Sequence, residues 1–203
     1  MHIPAWVPFI GPFLDRRRAW RELPDLARRW GMRFIASEMR YSFGSIDGTL
    51  QGYPVMIQPD SPMVTVKFNR EIEDFQLMTL DTGEKRHKYD LGHPKFERTF
   101  ATMELNQRLA SALCGRADVL DRVLALLRHR VVGMHLSNQG LICTMHNPFR
   151  RPWGRNIESA NYITVRDLER LLPEMIETVR LLESVLSPEN SVAGKVPSPQ
   201  KDD

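Results

Sequence analysis

The sequence predicts an α+β domain: an antiparallel meander sheet plus a second hairpin, with N-terminal, central and C-terminal helices packed on one face. Three observations carry this reading. Short segments of alternating apolar residues cluster between positions 33 and 80. Apolar stripes at helical spacing lie on both sides of that cluster in the chain. Strands and single helices do not alternate as a parallel sheet would require.

Taken in order, residues 1–14 read as an extended apolar arm that Pro4, Pro8 and Pro12 keep out of helix and central strand. A helix is expected from Asp15, its cap, to Trp30. Trp20, Leu23, Ala27 and Trp30 supply the stripe, Pro24 a kink and Gly31 the stop. Arg33–Ala36 is a short strand. Phe43–Leu50 and Tyr53–Gln58 flank Gln51-Gly52, a tight hairpin turn. Met63–Phe68 alternates, with Val64, Val66 and Phe68 on one face and Thr65 and Lys67 on the other. Phe75–Leu80 continues the meander.

Asp81–Asp90 is a charged, solvated loop. In Leu91–Phe100, Pro94 suits the first position of a short helix capped by His93, with Phe96 and Phe100 directed into the core. Asn106–Arg128 is helical, with Leu109, Leu113, Val119, Leu120, Val123, Leu124 and Leu127 on its apolar face and a break at Gly115. Val131–Leu136 and Leu141–His146 form the second hairpin around Asn138-Gln139-Gly140. Val165–Leu186 is the last helix, capped by Thr164 with Asp167 and bent at Pro173. The expected organisation is an arm over 1–14, a single domain over 15–186 and a disordered tail over 187–203.

A chain of 203 residues suits one domain of this kind. Its two cysteines, Cys114 and Cys143, are too few for a disulfide framework and point to the cytoplasm. No apolar run approaches the ~20 residues of a membrane span. Arg16–Arg18 follow the apolar arm instead of preceding it, which does not match a secretory signal. Net charge is +3 but uneven: Val123–Asn156 holds Arg128, Arg130, Arg150, Arg151 and Arg155 with no carboxylate. The acidic C-terminal helix is the expected complement.

At Leu91–Phe100 the residues Gly92, Pro94, Phe96, Glu97 and Phe100 form a Gly-x-Pro-x-Phe-x-x-x-Phe pattern followed by a leucine-rich helix and a short hairpin. The pattern resembles that of a group of bacterial α+β domains with no assigned activity. Trp20, Leu23, Gly31, Gly48 and Gly52 fit the same group, so the resemblance spans Trp20–Leu186. It departs at His93, where the group more often carries an acidic cap. The resemblance implies an α+β fold and brings no activity or cofactor with it.

Four places in the sequence could carry chemistry. Cys143-x-x-His146, with Cys114, His129 and His135, gives one close pair of metal-ligand types, whereas a structural zinc site uses four ligands. On a strand, positions 143 and 146 face opposite ways. No metal and no cofactor are therefore expected. There is no nucleophile elbow, phosphate loop or dinucleotide fingerprint. Gly44–Gly48 reads as hairpin backbone, and Glu71, Glu73 and Asp74 as a solvated turn.

Phe149–Arg155 interleaves arginines with aromatic residues, as single-strand binders do. The structural alternative is that Phe149 and Trp153 plug this loop onto the core while the arginines meet the C-terminal helix. Nucleic acid is accordingly not an expected partner. The arm places Trp6, Phe9, Ile10 and Phe13 beside arginines, which suits a partner or subunit surface, packing on the chain's own sheet, or a membrane interface.

Trp6, Phe9, Phe13, Arg150, Arg151 and Trp153 are thus the candidate partner-binding residues, and no residue is assigned a catalytic role. The reading is a non-catalytic cytoplasmic interaction, assembly or regulatory module whose partner is another protein or a second subunit. Two alternatives stand beside it: peripheral membrane association through the arm, and an enzyme without a signature motif. Removing 187–203, which has no apolar pattern to bury, is expected to shift the melting temperature by less than about 5 °C, roughly 1 kcal/mol at this size. A calorimetric scan of the truncated chain checks this.

Overall fold

The computed structural model describes residue 18 and residues 21–38, 43–79, 89–103, 105–145 and 163–186. The arm over 1–14, the charged stretch over 81–88 and the tail over 187–203 lie outside the described residues.

The first described helix, α1, covers 21–29. Leu23, Leu26 and Ala27 are its buried stripe; Trp30 packs half-buried at its end, and Trp20 lies outside the described residues. Four strands follow: β1 (Arg33–Ile35), β2 (Ser45–Leu50), β3 (Tyr53–Gln58) and β4 (Met63–Val66). They pair in sequence as an antiparallel meander. Leu50 opposes Tyr53 across a two-residue loop in which both Gln51 (φ 51°) and Gly52 (φ 87°) are left-handed. That is the requirement of the hairpin turn whose twist matches its strands.

β5 (Gln76–Thr79) does not extend the meander as expected. The hairpin of β7 (Val131–Ser137) and β8 (Gly140–Met145) inserts between β4 and β5, giving a single eight-stranded sheet of order β1-β2-β3-β4-β8-β7-β5-β6. All seven pairings are antiparallel. The hairpin turn is Asn138-Gln139, with Ser137 opposing Gly140. A Cβ at Gly140 would stand 2.3 Å from the Val66 carbonyl oxygen, so only glycine lets β8 begin this close to β4.

The last strand, β6 (Phe100–Met103), was missed by the sequence reading. It starts where the short helix α2 (Pro94–Thr99) ends. Pro94 and His93 do what their positions predict. The His93 ring nitrogen Nδ1 accepts from the Phe96 amide at 3.1 Å, and Glu97 Oε1 accepts from the Leu91 amide at 2.8 Å. Phe96 and Phe100 are both fully buried and stack with centroids 4.6 Å apart.

The expected helix over 106–128 is three elements: α3 (Gln107–Leu113), α4 (Ala117–Ala125) and a 3₁₀ turn, Leu126–His129. The break falls at Gly115, as the sequence suggested. Asn106 caps α3 through the Leu109 amide at 2.9 Å. Nor is the preceding acidic cluster merely solvated. Glu73 accepts from Asn106 Nδ2 at 2.6 Å and pairs with Arg108, while Asp74 accepts from Asn138.

The C-terminal helix α5 spans Val165–Leu186, and the helix runs through Pro173. Thr164 and Asp167 cap each other: the Asp167 amide donates to Thr164 Oγ1 at 3.2 Å, and the Thr164 hydroxyl donates to Asp167 Oδ2 at 2.7 Å. Leu168, Leu171, Leu172, Met175, Ile176, Val179 and Leu182 are essentially shut from solvent. At about 1.5–3 kcal/mol for each such side chain, this stripe outweighs any single polar contact of the helix. The basic–acidic complement appears where it can be seen: Arg130 meets Asp167 at 3.4 Å, and His129 meets Glu174 at 3.0 Å.

One polar side chain sits inside this packing. Glu183, 6% exposed, accepts from the Tyr53 hydroxyl at 2.9 Å, from the Arg70 amide at 3.2 Å and from the Asn69 amide. It thereby ties α5 to the β2–β3 turn region and to the loop after β4. Burial and the Glu183 hydrogen bond together hold the Tyr53 phenol proton above the ordinary tyrosine range.

Glu183→Ala leaves three donors without an acceptor and is expected to lower stability by about 2–4 kcal/mol in urea unfolding. Glu183→Gln, which keeps one oxygen, is expected to lose less than half of that. Equal losses would mean that volume, not hydrogen bonding, is what Glu183 contributes.

Candidate functional site

The two faces of the sheet differ in kind. On the inner face, Ile46, Ile57, Val64, Cys143 and Met134 form one cross-strand row; Val55, Val66, Leu141, Leu136 and Leu77 form the next. All are 3% exposed or less. The helix α5 packs on β4 and β8, the centre of this face.

The outer face carries a row that crosses all eight strands: Arg33, Asp47, Met56, Thr65, Ile142, His135, Met78 and Ala101. Its middle alternates apolar and polar side chains: Met56, Thr65, Ile142, His135 and Met78. Met56 is 37% and Met78 40% exposed; Thr65, expected on a polar face, is instead buried among its neighbours. The flanking rows are mostly polar or lack side chains, with Gln58, Met63, Thr144 and Gly133 on one side and Gly140, Ser137 and Gln76 on the other. Ile35 and Val132 add two further exposed apolar side chains. Val132 sits at the irregularity where β7 pairs with β8 between Val131 and Gly133.

Electrostatically, an ion pair closes one end of this face and exposed Lys67 flanks its middle. Arg33 donates to both oxygens of Asp47, at 3.1 and 2.7 Å, and the guanidinium holds the Asp47 carboxyl below the usual carboxylate range. The pair is solvent-exposed, so it orients the end of the row more than it stabilises the fold. Within this row, His135 Nε2 is shut from solvent with no hydrogen-bond partner.

The sequence reading missed this surface although a signal was present. Val55-Met56-Ile57, Leu77-Met78 and Leu141-Ile142 are apolar on consecutive positions, hence on both faces of their strands. A strand covered on one side only should alternate with polar residues. The residues the sequence singled out for binding, Trp6, Phe9, Phe13, Arg150, Arg151 and Trp153, lie outside the described residues, as does His146.

The metal candidates among the described residues, Cys114, His129, His135 and Cys143, are kept apart. Cys143 faces inward between Val64 and Met134, whereas His135 belongs to the outer row. His129 is engaged with Glu174, and Cys114 ends α3. Among the described residues no three His, Cys, Asp or Glu side chains come together as a metal site. A cleft of about 640 Å³ between α2 and α4 is lined by Lys95, Thr99, Asp121, Arg122 and Arg128. Its charges are mixed in sign, and Asp121 already meets His93 Nε2 at 3.3 Å. No helix among the described residues is long and apolar enough to cross a membrane.

No family model and no curated protein matches the chain. Among solved structures, the crystal structure of the mycobacterial trehalose monomycolate transport factor A, TtfA, aligns with 94% of this chain and 99% of that one. The sequence identity is 13% and the TM-score 0.38. A likeness this loose carries no inference about function.

Burial pushes the Cys143 thiol up to about 12, so it is protonated and unreactive at neutral pH. A thiol reagent at pH 8 is expected to modify the partly exposed Cys114 and to reach Cys143 only on unfolding. Mass spectrometry of the native protein checks this; two modified cysteines without loss of structure would contradict the inward placement of β8.

Proposed function

We propose that this chain is a non-catalytic binding module in which the outer face of the eight-stranded sheet receives another protein. One observation carries the reading. All four exposed large hydrophobic side chains among the described residues, Ile35, Met56, Met78 and Val132, are on strands of this sheet. Met56 and Met78 stand at the two ends of a cross-strand row whose inner members are Thr65, Ile142 and His135. Exposed apolar side chains gathered on one face are what a docking surface offers. Methionine, unbranched and polarisable, suits a surface that adapts to its partner.

The segment bearing Trp6, Phe9 and Phe13 and the one bearing Arg150, Arg151 and Trp153 belong to this proposal as further partner contacts, on their composition alone. A cytoplasmic setting belongs to it too, supported by the free thiols of Cys114 and Cys143.

Site-specific photo-crosslinking in the native host tests the proposal. A photoreactive amino acid at position 56 or 78 is expected to give a discrete adduct of higher mass. The same group at Asp118, on α4, is expected to give none. Absence of adducts from the sheet positions, or equal adducts from position 118, would refute a binding role for this face.

A further inference from the structure

We infer that the cleft between α2 and α4 binds a small molecule carrying a phosphate-ester group, at a site independent of the sheet face. Helical spacing builds its two walls. Lys95 and Thr99 are one turn apart on α2, and Asp118, Asp121, Arg122 and Ala125 lie at i, i+3, i+4 and i+7 on α4. Arg128 continues the second wall from the 3₁₀ turn, and Leu124 and Leu127 add apolar lining.

The charges are mixed in sign, but both carboxylates are engaged by residues that do not line the cleft. Asp118 precedes Arg122 by four residues, the favourable order for an ion pair along a helix. It turns instead to Arg116, whose Nε and Nη2 donate to its two oxygens at 2.9 and 2.8 Å. Asp121 is drawn to His93 Nε2 at 3.3 Å. Lys95, Arg122 and Arg128, all exposed, are left with no side-chain hydrogen bond or ion pair among the described residues. Arginines elsewhere, such as Arg29, Arg33, Arg130 and Arg180, meet carboxylates. Three uncompensated cations thus line one concavity.

Charge and size together select the ligand. Cations gathered in a cleft without counter-charge draw anions to it. A phosphate monoester brings about two negative charges and three acceptor oxygens, enough to meet guanidinium forks and an ammonium at once. A carboxylate brings one charge and two oxygens and leaves part of the cluster unanswered. The cleft, about 640 Å³, holds far more than a phosphoryl group and falls within the ~300–1,000 Å³ of small-molecule sites. The organic part of the ligand therefore rests on Leu124, Ala125 and Leu127.

An NMR titration of the full ¹⁵N-labelled chain with phenyl phosphate, in about 0.15 M salt, tests the site. The probe is expected to shift the amide signals of Lys95, Thr99, Arg122 and Arg128 with a Kd of about 1 mM or tighter. Benzoate, with the same ring and a single charge, is expected to bind at least about tenfold more weakly. Arg122→Gln and, separately, Arg128→Gln are expected to weaken phenyl phosphate at least about fivefold with the melting temperature unchanged. Asp121→Asn, which removes a negative charge from the wall, is expected to tighten it. Arg170→Gln, which removes an exposed cation on α5 outside the cleft, is expected to leave it unchanged.

Phosphatidylcholine vesicles with and without phosphatidic acid identify the source of the group. Flotation only with phosphatidic acid, lost in both cleft arginine variants, assigns it to a lipid headgroup; no flotation assigns it to a soluble ester. Unmoved cleft signals, equal binding of benzoate, or an equal loss in Arg170→Gln would overturn the site. A single-stranded oligonucleotide that shifts the same signals and binds more tightly than phenyl phosphate would replace the small molecule with a nucleic-acid backbone.

Discussion

The pairing of β4 with β8 is the contact on which the rest of the molecule depends. Val64 opposes Cys143 and Val66 opposes Leu141, across a sequence separation that contains β5, β6, three helices and β7. Without it the chain would hold a four-stranded meander and a separate four-stranded unit, each with an open edge. With it, one continuous sheet forms and α5, which follows β8 in the chain, lies across both halves. Closing so long a loop costs entropy before any burial offsets it. The pairing of the inserted hairpin with β4 is accordingly the most non-local contact of the sheet. Gly140 matters out of proportion to its size because any side chain there would strike Val66 at the point of contact.

Around that join, buried polar groups act as fasteners. Glu183 collects donors from β3 and from the loop after β4, fixing where α5 sits along the sheet. Glu97 and His93 do the same at α2. The carboxylate accepts from Leu91 and the ring accepts from Phe96, so the segment before β6 enters at one angle. The Gly92-His93-Pro94 sequence with Phe96, Glu97 and Phe100 is thus accounted for by a capped short helix and a buried aromatic stack. Nothing in that motif calls for a ligand.

The same join creates the outer surface. Met56 and Thr65 belong to the meander, Ile142 and His135 to the inserted hairpin and Met78 to β5. No one segment of the chain contains the stripe; it exists because three pieces of sheet are in register. Its apolar side chains lie opposite a core already closed by helices, so they are not needed to bury the inner face.

Local signals in the sequence determined the elements well. The Gln51-Gly52 turn, the Pro94 start, the Gly115 break and the Thr164–Asp167 cap each act over a few residues, and each appears where the residues place it. The α5 stripe is equally legible because 3.6-residue periodicity is written in one continuous stretch. Strand order was not legible. The residues of β5 satisfy a meander and a distant pairing equally well, and only the competition for the β4 edge decides between them. The missed strand β6 is four residues long and gains its conformation from pairing with β5, not from its own propensity. The outer row was hidden for the same reason. Sequence spacing reports neighbours along the chain, whereas Met56, Ile142 and Met78 become neighbours only through hydrogen bonds between strands. Tertiary structure alone could decide that they share a face.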